Sequence, residues 1–262
     1  MSQLENTANK RINSQPRVPA LIAPALNKDK AARPPKVDSH LVSLAAPRSP
    51  EAEQYRALRY EIEHMRKPGE CAVIGICSAL PGDGKTLTAI NLAGALAQDP
   101  SARTLLIEAD LRRPVVTVGD QLPLGNGGSK RGLVDAILDP TLNLDEIIRY
   151  VPYFNLTILP AGKRADAPYE ALNSTRFGEL LTEARQRYDY VIIDTPPILP
   201  VPDCRLLAKW VDSFVMVVAA DRTPREAVEE ALTLLGSVKV LGLVFNGHDR
   251  SVTRYYGYGY NY

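Results

Sequence analysis

The chain has 262 residues, of which 45% are hydrophobic, and its formal net charge at pH 7 is +1. This length fits one large domain with a buried core and a shorter extension, and the near-neutral charge does not favour nucleic acid as a partner. Its three cysteines suggest no disulfide framework, its amino-terminal residues hold no signal-peptide core, and no apolar run approaches the roughly 18 residues of a membrane span. We therefore expect a cytoplasmic protein that reaches the membrane only through a partner.

Residues 1–48 form a basic segment with six prolines and no sustained apolar period. Lys and Arg number eight in this segment, against three acidic residues. Such a composition predicts a largely disordered arm. The arm would serve either as a solvated linker or as a contact for anionic lipid or a partner.

A helix is predicted over residues 49–67, with Ser49 as its cap and Pro50 at its first position. Apolar side chains at helical spacing form one stripe, made of Tyr55, Leu58, Ile62 and Met65. Three charged residues spaced by three share another face, and they are Glu53, Arg56 and Arg59. This charged face suits either water or a second protein surface.

A glycine-rich turn follows an apolar run over 72–77 and precedes a helical pattern over 87–97. Strand, glycine-rich turn, Gly-Lys-Thr and helix form the context of a phosphate-binding P-loop, although Ala79 replaces the usual first glycine. Lys85 is expected to reach the β- and γ-phosphates of a nucleotide, and Thr86 to offer its hydroxyl to Mg²⁺. We expect nucleotide contacts from the whole turn, which is Pro81, Gly82, Asp83, Gly84, Lys85, Thr86 and Leu87. The alternative is a plain turn between a strand and a helix.

Acidic residues end two further predicted strands. One strand runs from residue 103 into Glu108 and Asp110, and the other runs from residue 188 to Asp194, in the pattern called Walker B. Because the carboxyl ends of parallel strands meet at one edge of a sheet, we expect these carboxylates near the phosphates. Asp194 would bind Mg²⁺ through its water shell. The alternative for the first pair is an exposed acidic turn.

The remaining pattern alternates strands and helices. A short helix is predicted over 132–138, a third strand over 156–160, an amphipathic helix over 174–187, strands over 213–220 and 240–246, and a helix that opens at 223–226. This alternation predicts an α/β fold, a P-loop NTPase with a mostly parallel central sheet and helices on both faces.

Tyrosines are concentrated at the carboxyl terminus, where five of the 12 lie in the last eight residues. Interleaved glycines remove any preference for helix or strand. The composition predicts a mobile tail with modifiable hydroxyls, and the alternatives are a buried aromatic cluster or an adhesive tail. The five tyrosines are Tyr255, Tyr256, Tyr258, Tyr260 and Tyr262.

Four stretches together resemble the bacterial tyrosine kinases of capsule and exopolysaccharide synthesis. They are the Glu-x-x-Arg-x-x-Arg helix, the Pro-Gly-Asp-Gly-Lys-Thr loop, the acidic strand end at 105–114 (similar to the family's Walker A′ motif), and the tyrosine cluster. The resemblance implies a MinD/ParA-like kinase domain over 49–248, in which the helix over 49–67 mediates oligomerisation. It also implies that 249–262 is a flexible tail whose five tyrosines accept phosphate in trans from a neighbouring subunit of a ring.

The resemblance further implies the roles of the site residues. ATP and Mg²⁺ would be the cofactors, and Asn246, at the end of the last strand, would contact adenine. Either Glu108 or Asp110 would accept the tyrosine proton, and Arg112 would assist with phosphate charge or an oligomer contact. The implied metal ligands are Thr86, Asp110 and Asp194. The implied catalytic residues are Lys85, Glu108, Asp110, Arg112 and Asp194.

The implied partners are a second copy of the chain, a separate membrane-spanning polysaccharide chain-length (co-polymerase) protein, and a tyrosine phosphatase. Through the membrane protein the kinase would lie at the inner face of the plasma membrane. There it would regulate the polymerisation, chain length or export of exopolysaccharide.

Two departures from the family pattern keep alternatives open. Glu108 stands where the family usually has Asp, and the usual Asn-Pro-x-Glu appears only as Ala167-Pro168-Tyr169-Glu170. A P-loop ATPase or a regulatory subunit without phosphotransfer therefore remains an alternative. A MinD/ParA-type positioning ATPase is disfavoured, because Leu80 occupies the place of that class's signature lysine.

Overall fold

The computed structural model describes residues 37–112, 122, 131–151 and 153–247. Residues 1–36 of the predicted arm lie outside the described residues. The five predicted acceptor tyrosines, together with the whole segment 249–262, also lie outside them.

The described strands form one sheet in the order β3-β4-β2-β5-β1-β6-β7. Every neighbouring pair is parallel except β3 and β4. The mostly parallel sheet predicted from the alternating pattern is therefore confirmed. The strands are β1 (Ala72–Ser78), β2 (Thr104–Glu108), β3 (Arg149–Val151), β4 (Leu156–Leu159), β5 (Tyr190–Asp194), β6 (Ser213–Ala219) and β7 (Val240–Asn246).

Helices cover both faces of the sheet. The described helices are α1 (Val42–Ala45), α2 (Pro50–Met65), α3 (Lys85–Leu96), α4 (Leu133–Leu138), α5 (Leu144–Ile147), α6 (Pro168–Asn173), α7 (Thr175–Arg187), α8 (Asp203–Leu207) and α9 (Arg225–Leu235). The first three share one apolar core with the sheet, and the other six share the second core on the opposite face. Because both faces are covered, β1, β2, β5 and β6 are buried along their whole length, as near-continuous apolar runs require.

The inner boundary of the predicted disordered arm is wrong, because residues 37–48 contain α1. Leu41 is fully buried and Leu44 is nearly so. A Cβ placed on Gly94 of α3 would lie 2.7 Å from Leu44 Cδ2, so the glycine lets α1 approach closely. The amide of Asn91 also donates to the carbonyl of His40 (3.0 Å). A helix of four residues is too short to show a helical period in the sequence.

The third predicted strand is in fact the fourth. A strand of three residues, β3, precedes it and pairs antiparallel with it at the edge of the sheet. Three residues are too few to show an alternating pattern, so β3 could not be predicted from the sequence.

Helix α2 begins as predicted, with Ser49 Oγ accepting a hydrogen bond from a backbone N–H of the first turn (3.1 Å). Its apolar stripe packs onto the sheet through the fully buried Ile62. The three charged residues of the predicted face make two different kinds of contact. Glu53 and Arg56 form an ion pair near the surface, whereas Arg59 donates from Nη1 to the carbonyl of Ala95 in α3 (2.9 Å). Their role in oligomerisation stays a prediction.

Candidate active site

The P-loop lies between β1 and α3 and requires its glycines. Gly82 and Gly84 have φ of 85° and 98°, in the left-handed region that favours glycine. A Cβ on Gly84 would also lie 1.9 Å from Nδ2 of Asn246, so a larger residue is excluded by space as well as by backbone strain. Since Gly84 precedes the first residue of α3, the helix presents its amino-terminal N–H groups toward this turn.

Asp83 and Asn246 tie the loop to neighbouring parts of the fold. The Asp83 carboxylate, 3% exposed, accepts from the backbone N–H of Leu80 (3.1 Å) and from the hydroxyl of Thr223 (2.7 Å). Asn246, at the end of β7, donates from Nδ2 to the carbonyl of Asp83 (3.0 Å). These bonds hold the loop in shape, and a contact of either residue with the nucleotide stays a prediction. Thr223 was not singled out from the sequence, where it signals only the start of a helix.

Lys85 is a buried cation beside the loop. It is 8% exposed, and no carboxylate of the described residues pairs with its ammonium group. Buried charges in proteins are normally paired, so a bound anion is the group that would complete this site. The phosphates of a nucleotide supply such an anion at a P-loop.

Thr86 and Asp194 meet across the ends of β1 and β5. The hydroxyl of Thr86 donates to Oδ2 of Asp194 (2.7 Å). Burial raises the pKa of Asp194 to about 7, although the Thr86 hydrogen bond and the Lys85 charge oppose the rise. Repulsion from Asp110 and Glu108 adds to it, which indicates that the three carboxylates lie near one another.

The donor atoms at this point suit Mg²⁺. Asp194 Oδ1 is buried and has no hydrogen-bond partner among the described residues, and the Thr86 hydroxyl lies beside it. Carboxylate and hydroxyl oxygens are the ligands that Mg²⁺ prefers, and Mg²⁺ normally keeps several waters and substrate phosphates. In the described part of the chain, no group of three His, Cys, Asp or Glu side chains would hold a metal by itself. The residues therefore fit a Mg²⁺ shared with a nucleotide.

Glu108 ends the neighbouring strand, β2, and Asp110 lies two residues beyond it, as the sequence predicts. Glu108 pairs in register with Asp194, is 6% exposed, and accepts from the backbone N–H of Ala161 at Oε2 (2.9 Å). Asp110 is half-buried. The carboxylate of Glu108 thus spans from β2 to the segment that follows β4, a contact that the sequence did not predict.

Arg112 is engaged by a partner that the sequence did not predict. Its guanidinium donates to both carboxylate oxygens of Asp203 (2.7 and 2.8 Å), and Asp203 is fully buried at the start of α8. These hydrogen bonds raise the pKa of Arg112 above its ordinary value, and the charge of Glu170 contributes. Glu170 belongs to the Ala-Pro-Tyr-Glu stretch that differs from the family's pattern, and α6 begins within this stretch at Pro168. A direct role of Arg112 toward phosphate or a second subunit stays a prediction.

Comparison with known proteins places these features in a family. A family model described as an AAA domain matches residues 71–240. The tyrosine-protein kinase YwqD of Bacillus subtilis (strain 168) is 34% identical over 236 residues, covering 89% of this chain and 95% of YwqD. The chain belongs to the bacterial tyrosine-protein kinases. The predicted resemblance to this family is thereby confirmed, and so is the use of a nucleotide by a P-loop domain.

Other relatives support the kinase family and its fold. The kinase domain of the Escherichia coli tyrosine kinase ETK is 25% identical with a TM-score of 0.69, covering 85% of this chain and 84% of that one. The succinoglycan biosynthesis transport protein ExoP of Rhizobium meliloti (strain 1021) is 35% identical over 214 residues, which is 79% of this chain but 26% of ExoP. The cell division ATPase MinD of Pyrococcus furiosus, 22% identical with a TM-score of 0.54 over 69% of this chain and 74% of MinD, shares the fold alone.

The kinase contains no helix, within its described residues, that combines the length and hydrophobicity needed to cross a membrane.

Proposed function

We propose that this kinase is an ATP- and Mg²⁺-dependent autokinase that phosphorylates the tyrosine cluster of a neighbouring copy. The observation that carries the proposal is the constellation at the ends of β1 and β5. Lys85 is a buried cation without a carboxylate partner, and the hydroxyl of Thr86 bonds an Asp194 carboxylate whose other oxygen has no partner among the described residues. Phosphate and Mg²⁺ would satisfy each of these groups.

The chain's own residues then have distinct tasks. The N–H groups at the start of α3 and the Lys85 ammonium stabilise negative charge on the phosphoryl oxygens, most strongly where it develops during transfer. Thr86 and Asp194 would hold Mg²⁺, with Asp110 close to them. When bound, Mg²⁺ neutralises charge on the β- and γ-oxygens. Low exposure of Lys85 and Asp194 strengthens these interactions, because water screens them less.

Asp110 is the better base for the attacking tyrosine. A phenol has a pKa near 10, so its proton must pass to an acceptor during transfer. Glu108 is 6% exposed and already accepts a backbone hydrogen bond, whereas Asp110 is half-buried and therefore more accessible to an incoming side chain. We assign proton acceptance to Asp110 and positioning of the β2 end to Glu108.

Phosphorylation of the tail would loosen the association between subunits. The acceptors are Tyr255, Tyr256, Tyr258, Tyr260 and Tyr262. Each phosphate adds about −1.5 to −2 charge, so several on one short segment repel one another and favour release from the neighbouring site. A ring joined through the face of α2 that carries Glu53 and Arg56 would then loosen, and a tyrosine phosphatase would restore it.

The cellular role follows from the relatives. ExoP is named for succinoglycan biosynthesis and transport, and this chain aligns with about a quarter of its length. We propose that this kinase acts together with a separate membrane-spanning chain-length protein of polysaccharide synthesis. The kinase would bind this partner at the inner face of the plasma membrane and regulate exopolysaccharide polymerisation, chain length or export.

The test is phosphotyrosine mapping by mass spectrometry after incubation of the purified chain with Mg·ATP. Lys85→Ala should abolish the signal on the tail. Lys209→Ala should not, because Lys209 is an exposed lysine that donates to Asn173 and lies over the ring of Trp210. The assay is repeated with the cytoplasmic tail of a candidate membrane partner. ATP hydrolysis without phosphotyrosine under both conditions would contradict the kinase and favour the ATPase alternative.

Transfer between subunits needs a mixing experiment. A Lys85→Ala chain is incubated with an active chain whose five tail tyrosines are replaced by Phe. Phosphate on the Lys85→Ala tail demonstrates transfer in trans. Its absence, with full activity of the unmixed wild type, would restrict the reaction to a single chain.

A further inference from the structure

An arginine that the sequence did not single out lies beside the P-loop. Arg222 belongs to the turn between β6 and α9, and its Nη2 lies 3.6 Å from the position that a Cβ on Gly82 would occupy. Its side chain is exposed. Across the described ranges, no hydrogen bond or ion pair engages its guanidinium. The guanidinium therefore lies beside a phosphate-binding loop, and no carboxylate of the described residues forms an ion pair with it.

The turn that carries Arg222 is fixed to the loop by hydrogen bonds. The hydroxyl of Thr223 donates to Asp83 Oδ1 (2.7 Å) and accepts from the backbone N–H of Ala219 (3.2 Å). Asp221 adopts φ of 58°, a left-handed conformation that costs free energy and persists only where surrounding contacts enforce it. The backbone of the turn that carries Arg222 is thus held against the P-loop.

Neighbouring arginines show what is different about Arg222. Arg112 is held by Asp203 through two hydrogen bonds, and Arg225, three residues further along, pairs with Glu229 at 2.7 Å. Both have carboxylate partners within the chain. Arg222 has none in the described part, while the loop beside it is built to receive an anion.

We propose that Arg222 is a further nucleotide-contacting residue, which pairs with the outer phosphates of ATP bound at the P-loop. A guanidinium presents a planar fork of donors that matches phosphate oxygens, so one arginine can make two charge-assisted hydrogen bonds. Lys85 of the same loop is the residue that reaches the β- and γ-phosphates of such sites, so these are the phosphates that the proposal assigns to Arg222. This inference rests on the nucleotide site of the proposed function and adds a residue to it.

The experiment compares nucleotide affinities of the full chain by isothermal titration calorimetry. The ligands are a non-hydrolysable ATP analogue and AMP, each with Mg²⁺, and the variants are Arg222→Gln and Arg225→Gln. Charge-assisted hydrogen bonds correspond to roughly a tenfold or greater change in affinity. We expect Arg222→Gln to weaken binding of the ATP analogue by about tenfold or more and to leave AMP binding nearly unchanged.

Two controls separate contact from folding. Arg225→Gln removes a similar exposed charge nearby and should bind both ligands like the wild type. Arg222→Lys should recover part of the lost affinity, because it keeps the charge but loses the fork. Equal losses for the ATP analogue and AMP, or equal behaviour of the two Gln variants, would overturn the inference. If the wild type binds no nucleotide at all, the proposed function itself fails.

Discussion

Ionisation of the buried Asp194 carboxyl lowers the free energy of unfolding, and a single substitution should reveal this effect. In the unfolded chain its carboxyl ionises near the ordinary pKa of 3.8, whereas burial raises the pKa in the folded protein to about 7. Between these values the folded state keeps a proton that the unfolded state loses, so the free energy of unfolding falls as pH rises through this window. The full difference of about three pKa units corresponds to about 4 kcal/mol above pH 7.

Asp194→Asn removes this titration but keeps an oxygen that can accept the Thr86 hydroxyl hydrogen bond. Relative to the wild type, we expect the free energy of unfolding of the variant to rise by about 3 kcal/mol between pH 5 and pH 8. Urea unfolding at both pH values, with chelator and without nucleotide, measures the difference. Any penalty from burying the new amide is the same at both pH values and cancels.

The matched control is Asp166→Asn, at an exposed carboxyl, which should follow the wild-type profile at both pH values. Parallel pH profiles for Asp194→Asn and the wild type would refute the reasoning, since they would mean that the Asp194 carboxyl ionises alike in both states. The same variant should lose tail phosphorylation, because a neutral amide is a poor Mg²⁺ ligand. Between pH 5 and pH 8 the variant therefore gains stability relative to the wild type, although it lacks the activity.

Four further substitutions test contacts at the site and the cap at the start of α2. Arg112→Met should lower the free energy of unfolding by about 2 to 3 kcal/mol, because it leaves the buried Asp203 carboxylate without its partner. The expected loss is below that of a wholly buried pair, because the Arg112 side chain is 34% exposed. Adding Asp203→Leu should restore much of that stability in urea unfolding, and a further loss would contradict the pairing. Glu108→Asp should cost about 1 to 3 kcal/mol and expose the Ala161 amide to hydrogen exchange; unchanged protection of that amide counts against the contact. Ser49→Ala should cost about 1 kcal/mol in the same unfolding assay through its lost helix cap, and a value near zero would show that the cap is dispensable.

Much of the fold could be predicted because its signals are local. Uninterrupted apolar runs marked the central strands, and Ser49 with Pro50 marked the start of α2 within one residue. The elements that escaped prediction, α1 and β3, have four and three residues, too few to display a period. Their positions depend on tertiary contacts, such as the approach of α1 to Gly94, which no local pattern encodes.

The residues of the candidate site differ in the same way, because some are marked by a local motif and others are not. The proximity of Lys85, Thr86 and Asp194 could be predicted, because a loop motif and the end of a buried strand fix their positions and the parallel register brings them together. Asp203 instead begins α8, and Arg222 lies in the turn between β6 and α9. Their sequence neighbourhoods carry no motif, and only the folded sheet brings them to the P-loop or to Arg112.

Glu108 shows how a departure from a family pattern can be absorbed by its surroundings. The longer side chain places its carboxylate on the backbone N–H of Ala161, in the segment after β4. That segment is tightly packed, because a Cβ on Gly132 would lie 2.3 Å from the carbonyl oxygen of Pro160, so it offers a rigid anchor. An Asp at this position would have a carboxylate about 1 Å shorter in reach, enough to separate it from that anchor. The acid at the end of β2 is therefore held by protein contacts in this chain, and its charge still acts on Asp194 across the strand pair.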